Sequence, residues 1–442
     1  MDSSTTNSAA GSWTESRAER QLRSLELFGM RFGLDRMRRM MTVLGSPERR
    51  FDTIQVLGTN GKSSTTRMIA AILERHGLRT GAYTSPHLVS YRERVQVSER
   101  ELGPEEFAAA IARAWWAAER VNRTLGEDDH VTQFELLTAA ALWHMAERDV
   151  DVAVVEAGLG GRYDATSVID APVTVLTNVG LEHTRWLGPT VTDIAGEKLA
   201  ALAEHGTLVI GSGLVAEALA VAERVAAERG AEIVRASAGE STVELRARGP
   251  FQRRNFALAQ AAAEVHLRRA GIPLSRRAVA QAAMATAVPG RLQLLGGEPP
   301  TLFDGAHNPD AVAALVEALP EVLPGRPLAL VLGVLEDKDA AGMLRALLPL
   351  CDHAWFTAPP SGRALSPAAL ESLARQLGFA ASSCEPRPSR ALEQARAWAR
   401  ERHGSVLAAG SVYLIGDLLA GLQPAEQRRS PRVGLRGSGA GR

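Results

Sequence analysis

The sequence predicts an α/β protein of two domains, each built around a mostly parallel sheet. Three observations point there. Short, continuous, β-branched apolar runs recur along the chain, stretches with helical periodicity separate them, and a glycine-rich turn joins the first run to the first long helix. Strands that are apolar throughout, rather than at alternate positions, are buried on both faces, as parallel strands joined by covering helices are.

In chain order the expected strands are "TIQVLG", "VAVVEAG", "VTVLTNVG", "TLVIG", "LALVLGV" and "HAWFTA". "KSSTTRMIAAILERHG" is helical, with Met68, Ile69, Ile72 and Leu73 along one face. "SGLVAEALAVAERVAAERG" and "RRNFALAQAAAEVHLRRAG" are helices too, the second closed by Gly271 and followed by Pro273. The densest Pro/Gly stretch between periodic segments, "AVPGRLQLLGGEPP", sets a domain boundary at residue 288. The expected organisation is a nucleotide-binding domain over 20–288 and a smaller one over 289–423. Polar segments at 1–19 and 424–442 read as disordered tails. No internal repeat is present.

Composition narrows the partners. The 442 residues hold 50 Lys+Arg and 50 Asp+Glu, a balance that argues against nucleic acid or an anionic membrane and for a small polar ligand. Cys351 and Cys384 are too few for a disulfide framework or a zinc site. No apolar run approaches the roughly 20 residues of a membrane span, and a cytoplasmic monomer is expected. Of the 50 basic residues only Lys62, Lys198 and Lys338 are lysine. Where arginine supplies nearly every positive charge, a retained lysine marks a need for a primary amine or a compact ammonium.

"LGTNGKSST", residues 57–65, turns from strand end to helix start. Gly58 and Gly61 enclose only Thr59 and Asn60, two residues fewer than a Walker A loop has. The physics is still that of an anion site: outward N–H groups, a favourable helix dipole, the Lys62 ammonium, and Ser63 or Ser64 as a hydroxyl for Mg²⁺. Ser85 in "YTSPHL" precedes a proline at a strand's C-terminal edge. Glu156 ends a buried run, and Glu182 with His183 ends another, "VTVLTNVGLEH", in the same way. A carboxylate at such a point needs a cation. A Mg²⁺–nucleotide site supplies one; a capping glutamate and a surface histidine are the competing reading. Lys198 lies in "TVTDIAGEKLAALAEHG" beside acidic residues, and Asp304, His307 and Asn308 cluster in "DGAHNP" ahead of Pro309.

These motifs, with "RERV", "TQFELLTAAAL", "VVEAGLGGRYDATS", "TNVGLEHTRWLG", "IAGEKLA", "PGRLQ", "VLGVLEDKD" and "GSVYLIGDL" in the same order, resemble the folylpolyglutamate synthase and dihydrofolate synthase family, relatives of the Mur peptide ligases. The resemblance implies a Mur-ligase-like fold, with a P-loop-type domain and a smaller Rossmann-like one. It also implies ATP-driven amide formation, in which a substrate carboxylate becomes an acyl phosphate and L-glutamate attacks it. Gly58, Thr59, Asn60, Gly61, Lys62, Ser63 and Ser64 would hold the triphosphate, and Asn255, Arg291 and Asp304 the adenosine. Ser63, Ser85, Glu156 and His183 would ligate Mg²⁺, with two ions expected. Lys198 would be carbamylated to serve one of them. Lys62, Lys198, His183 and His307 are the expected catalytic residues, with His307 and Ser411 near the glutamate.

Thr132, Gln133, Phe134 and Glu135, with Tyr163, Asp164 and Ala165, match the pterin segments of the bifunctional type, which uses both dihydropteroate and reduced folates. Ser63, Glu182, Tyr163 and Val288 depart from the family's usual residues. Polyglutamylation alone, a Mur-type amino-acid ligase and a non-enzymatic nucleotide switch are the competing readings. The first two differ in the acid they accept, the last in needing neither glutamate nor a folate.

Overall fold

In the computed structural model, which describes residues 13–25, 33–237, 243–323, 325 and 327–422, each of the six apolar runs contains most or all of a strand. Two compact units separate: Met1–Gln293 with Asn308–Gly325, and Leu294–His307 with Arg326–Arg442. The division falls a few residues beyond 288. The helix Pro309–Val322 groups with the first unit, where Arg253 and Arg254 form ion pairs with its Glu321 and Glu317.

The first unit holds β1 (Asp52–Leu57), β2 (Thr80–Tyr83), β3 (Val95–Val97), β4 (Arg100–Glu101), β5 (Val152–Glu156), β6 (Val173–Leu176), β7 (Thr207–Ile210) and β8 (Glu232–Arg235). They form one sheet in the order β4-β3-β2-β5-β1-β6-β7-β8. The run from β2 to β8 is parallel, and β3 and β4 add an antiparallel edge. β1 lies between β5 and β6, with Val56 opposite Glu156 and Leu57 opposite Leu176. The loops leaving these three neighbours therefore share one edge, where ligands of such sheets bind.

Helices cover both faces. Met68, Ile69 and Ile72 of helix Lys62–Glu74 pack with Phe256, Ala259 and Ala263 of helix Pro250–Arg269 against Ile54 and Val154 of the sheet. Opposite them, the helices Pro104–Asn122 and Gln133–Glu147 bury Ile111, Ala114, Leu136 and Ala140 over Val155.

The second unit has its own sheet, in the order β13-β12-β11-β14-β10-β9. Its strands are β9 (Gln293–Leu295), β10 (Thr301–Phe303), β11 (Leu328–Leu332), β12 (His353–Phe356), β13 (Ser382–Cys384) and β14 (Ser405–Ala409). β10 through β14 are parallel.

Most of the two expected tails, residues 1–12 and 423–442, lies outside the described residues. One correction concerns the N-terminal segment. A helix runs from Glu15 to Ser24, beginning inside the stretch 1–19 assigned to the tail. Thr14 caps it by accepting a hydrogen bond from the Arg17 N–H, and Ala18 and Leu22 are fully buried.

Candidate active site

The turn after β1 is held from several sides. Gly58 has φ +145° and Gly61 φ +82°, values that favour glycine. A side chain at Gly61 would also meet Asn255, whose Oδ1 lies 2.6 Å from where a Cβ would stand. The Asn60 N–H donates to Asn178 Oδ1 at 2.8 Å and the Thr177 hydroxyl donates to Asn60 O at 2.6 Å, so the loop after β6 braces the loop after β1. Asn60 and Asn308 exchange side-chain amide hydrogen bonds at 3.2 and 3.0 Å. Helix Lys62–Glu74 then starts from Gly61 with no side-chain cap, leaving its first N–H groups for a ligand.

Two lysines converge on this turn. Lys62 Nζ donates to Thr59 O at 3.1 Å, and Lys198 Nζ donates to Gly58 O at 2.9 Å. Lys198 is only 4% exposed, so it is not the solvated surface lysine that its acidic neighbours suggest. Glu197 instead pairs with Arg162 at 3.1 Å. Burial, and then the nearby Lys62 charge, lower the Lys198 amine to about 7, against the opposing pull of Glu182, Asp164 and Glu197. The Lys62 ammonium and the uncapped N–H groups at this helix N-terminus favour an anion on the turn.

Beside them sits Glu156, 1% exposed at the end of β5. The Ser63 hydroxyl donates to its Oε1 and the Ser85 N–H to its Oε2, both at 3.0 Å. Burial raises its carboxyl above the usual range, while Lys62, Ser63, Ser85 and Arg291 pull it back. A buried carboxylate next to the Ser63 hydroxyl offers hard oxygen donors, which suit Mg²⁺. Among the described residues no three His, Cys, Asp or Glu side chains form a ready-made cation cage.

Other expected residues are placed differently. β6 ends at Leu176, so Glu182 and His183 lie well along the following loop rather than at a strand end. His183, at φ +54°, precedes the short helix Thr184–Leu187, with Nε2 4.0 Å from Glu182 Oε1. Glu135 turns inward: it completes a capping box with Thr132 and forms a buried ion pair with Arg36 at 3.0 Å. Gln133 Nε2 donates to Leu22 O at 2.9 Å and to the Tyr91 hydroxyl at 3.3 Å, while the Phe134 ring lies 6.2 Å from that of Tyr83. Asp164 is buried and accepts from the Leu159 N–H and from the Thr166 N–H and hydroxyl. Ala165 opens the short helical turn that Asp164 caps, and Tyr163 is exposed. Ser64 is buried in the first turn of its helix, and the Arg291 N–H donates to Val288 O.

In the second unit Asp304 follows β10, where its Oδ1 accepts from the Ala306 N–H at 2.8 Å, and His307 Nδ1 lies 2.9 Å from Gly305 O. Ser411, fully buried, follows the neighbouring β14. These three share the C-terminal edge of that sheet.

Sequence reasoning missed Thr177, Asn178, Gln252 and Arg36. Gln252 is fully buried and its Oε1 accepts from Asn255 Nδ2 at 3.1 Å. The polar Thr-Asn pair straight after an apolar strand was a usable signal for the first two.

The Mur ligase middle domain family model matches residues 56–210, and the Mur ligase, glutamate ligase domain model matches residues 290–412. Folylpolyglutamate synthase of Lacticaseibacillus casei is 34% identical over 76% of this chain and 84% of that one. Dihydrofolate synthase/folylpolyglutamate synthase of Bacillus subtilis is 32% identical over 88% and 95%. Mycobacterium tuberculosis folylpolyglutamate synthase complexed with ADP and AMPPCP superposes with a TM-score of 0.85 at 31% identity, covering 93% of this chain and all of that one. The bifunctional folylpolyglutamate synthase/dihydrofolate synthase of Yersinia pestis, complexed with AMPPNP and Mn ion, gives 0.80 at 28%, covering 94% and all of that chain.

Proposed function

The chain belongs to the folylpolyglutamate synthase and dihydrofolate synthase family of Mur ligases, and from that premise we propose that it is an ATP-dependent ligase joining L-glutamate to dihydropteroate and to reduced folates. The observation that carries this reading is the anion-binding turn with two lysines, joined through Ser63 to the buried Glu156.

The physical difficulty of the reaction is bringing an anionic carboxylate against the phosphates of ATP. The residues of the site counter that repulsion. The N–H groups at the start of helix Lys62–Glu74 and the Lys62 ammonium hold the triphosphate, and Asn255, Arg291 and Asp304 hold the adenosine. Lys62 follows the charge on the γ-phosphoryl group as it passes to the substrate acid. Ser63, Ser85, Glu156 and His183 hold Mg²⁺, which supplies charge neutralisation at the phosphate oxygens when bound. His307 and Ser411 receive L-glutamate, whose neutral amine attacks the acyl phosphate and releases inorganic phosphate. Thr132, Gln133, Phe134 and Tyr163 line the pterin end, and Glu135 and Asp164 shape it through the bonds described above.

Lys198 serves best as a carbamate. Its amine, lowered to about 7, is substantially neutral at physiological pH and free to attack CO₂; an N–C bond forms, a proton leaves, and an anionic oxygen donor for a second Mg²⁺ results. The protein works as a monomer in the cytoplasm. Among the described residues no helix is long and apolar enough to cross a membrane.

The test is phosphate release from ATP and Mg²⁺ with each acid in turn. Release that needs both L-glutamate and dihydropteroate or a reduced folate supports the ligase. Release with reduced folate alone narrows it to polyglutamylation, and release with neither co-substrate fits a nucleotide switch.

A further inference from the structure

Three consecutive backbone N–H groups converge on one carboxylate that the mechanism above does not use. Leu88 N–H donates to Glu93 Oε2 at 2.8 Å, and Val89 and Ser90 N–H donate to Oε1 at 2.8 and 2.7 Å. The Ser90 hydroxyl closes the motif by accepting from the Arg92 N–H at 3.3 Å. The loop so gathered leaves β2 at Tyr83 and passes through Ser85, whose own N–H donates to Glu156. Its two ends are thus tied to two carboxylates, Glu156 and Glu93.

Pro86 and Val89 are exposed and Ser85, His87, Leu88 and Ser90 only half-buried, so the loop's shape depends in large part on hydrogen bonds, and a carboxylate acceptor makes the strong kind. A second tie comes from His87, whose Nδ1 accepts from Arg94 Nε at 3.1 Å and whose ring centroid lies 4.2 Å from that of Tyr91. Arg67, on the helix that begins at Lys62, offsets the local negative charge by facing Glu101, Glu93 and Glu156.

We propose that Glu93 is a positioning residue for the cation site, fixing the loop that presents Ser85 beside Glu156. The proposal rests on the assignment of Ser85 and Glu156 to Mg²⁺ and adds a residue that touches neither metal nor nucleotide. Glu93→Gln keeps the size but replaces one acceptor oxygen with an amide NH₂, so at least one of the three N–H groups faces a donor.

The measurement is Mn²⁺ binding to the full chain with AMPPNP, read from the electron paramagnetic resonance of free Mn²⁺. Glu93→Gln is expected to bind Mn²⁺ about tenfold more weakly, the lower end for changes behind a metal ligand. The Mg²⁺ concentration for half-maximal ligation should rise in parallel, with turnover recovered at excess Mg²⁺. A folded Glu93→Gln protein with wild-type Mn²⁺ affinity overturns the proposal, as does an activity loss that excess Mg²⁺ leaves in place. If Glu93→Gln does not fold, Glu93→Asp is measured instead; its shorter carboxylate should give a smaller rise, and unchanged affinity again overturns it. Failure of the wild-type protein to ligate any folate would defeat the proposed function while leaving the Mn²⁺ result readable.

Discussion

Lys198 and Lys62 both donate to carbonyls of the glycine turn, and burial lowers the Lys198 amine to about 7. A guanidinium there stays charged and forms no carbamate. Lys198→Arg is therefore expected to lose most ligation while binding ATP, and near-normal turnover would contradict the adduct. Gly61→Ala forces a strained φ and drives a methyl toward Asn255 Oδ1. Its predicted signature is at least tenfold weaker nucleotide binding, about 1.4 kcal/mol, checked by calorimetry with a non-hydrolysable analogue. Both lysines were legible in the sequence because lysine is so scarce in it. Gln252 and Arg36 were not, since the partners of Arg36 lie far away along the chain and Gln252 acts through one hydrogen bond that no local pattern encodes.

Helix Gln133–Glu147 starts where Glu135 both caps it and meets Arg36 in a buried pair. Removing one partner strands a buried charge. Arg36→Met should cost about 3–5 kcal/mol in urea unfolding, with much of it regained when Glu135→Gln is added. Helix Pro104–Asn122 depends on Glu106, which Arg100 and the Gly103 N–H hold at about 2, below its usual 4.5. A lowered carboxyl stabilises the fold above its unfolded value, and the effect is lost as pH falls through the folded one. Glu106→Gln should therefore destabilise at pH 7 by roughly 1 kcal/mol, with the difference shrinking between pH 4.5 and 2; a pH-independent cost would refute this. The six apolar strands and the helices Lys62–Glu74, Ala216–Glu228 and Pro250–Arg269 were legible from periodicity, whereas Pro104–Asn122 and Gln133–Glu147 were not assigned. The β3–β4 edge was not, being only three and two residues long, nor was helix Glu15–Ser24, whose polar surface hides the inward-facing Ala18 and Leu22.

Across the whole molecule, the order β2-β5-β1-β6 explains why residues some hundred positions apart in sequence form one site. Ser85, Glu156 and the Gly58–Ser63 turn leave three adjacent strands at the same edge. The family motifs named the candidate residues; the sheet order explains why Glu156 meets Ser63, and no sequence spacing contains that fact. The central claim is that the substrate acid is phosphorylated before glutamate attacks it. Dihydropteroate carrying ¹⁸O in its carboxylate tests this directly, by mass analysis of the phosphate released during ligation. The account predicts one ¹⁸O atom transferred to each phosphate. Phosphate without ¹⁸O, formed while the product accumulates, would contradict it.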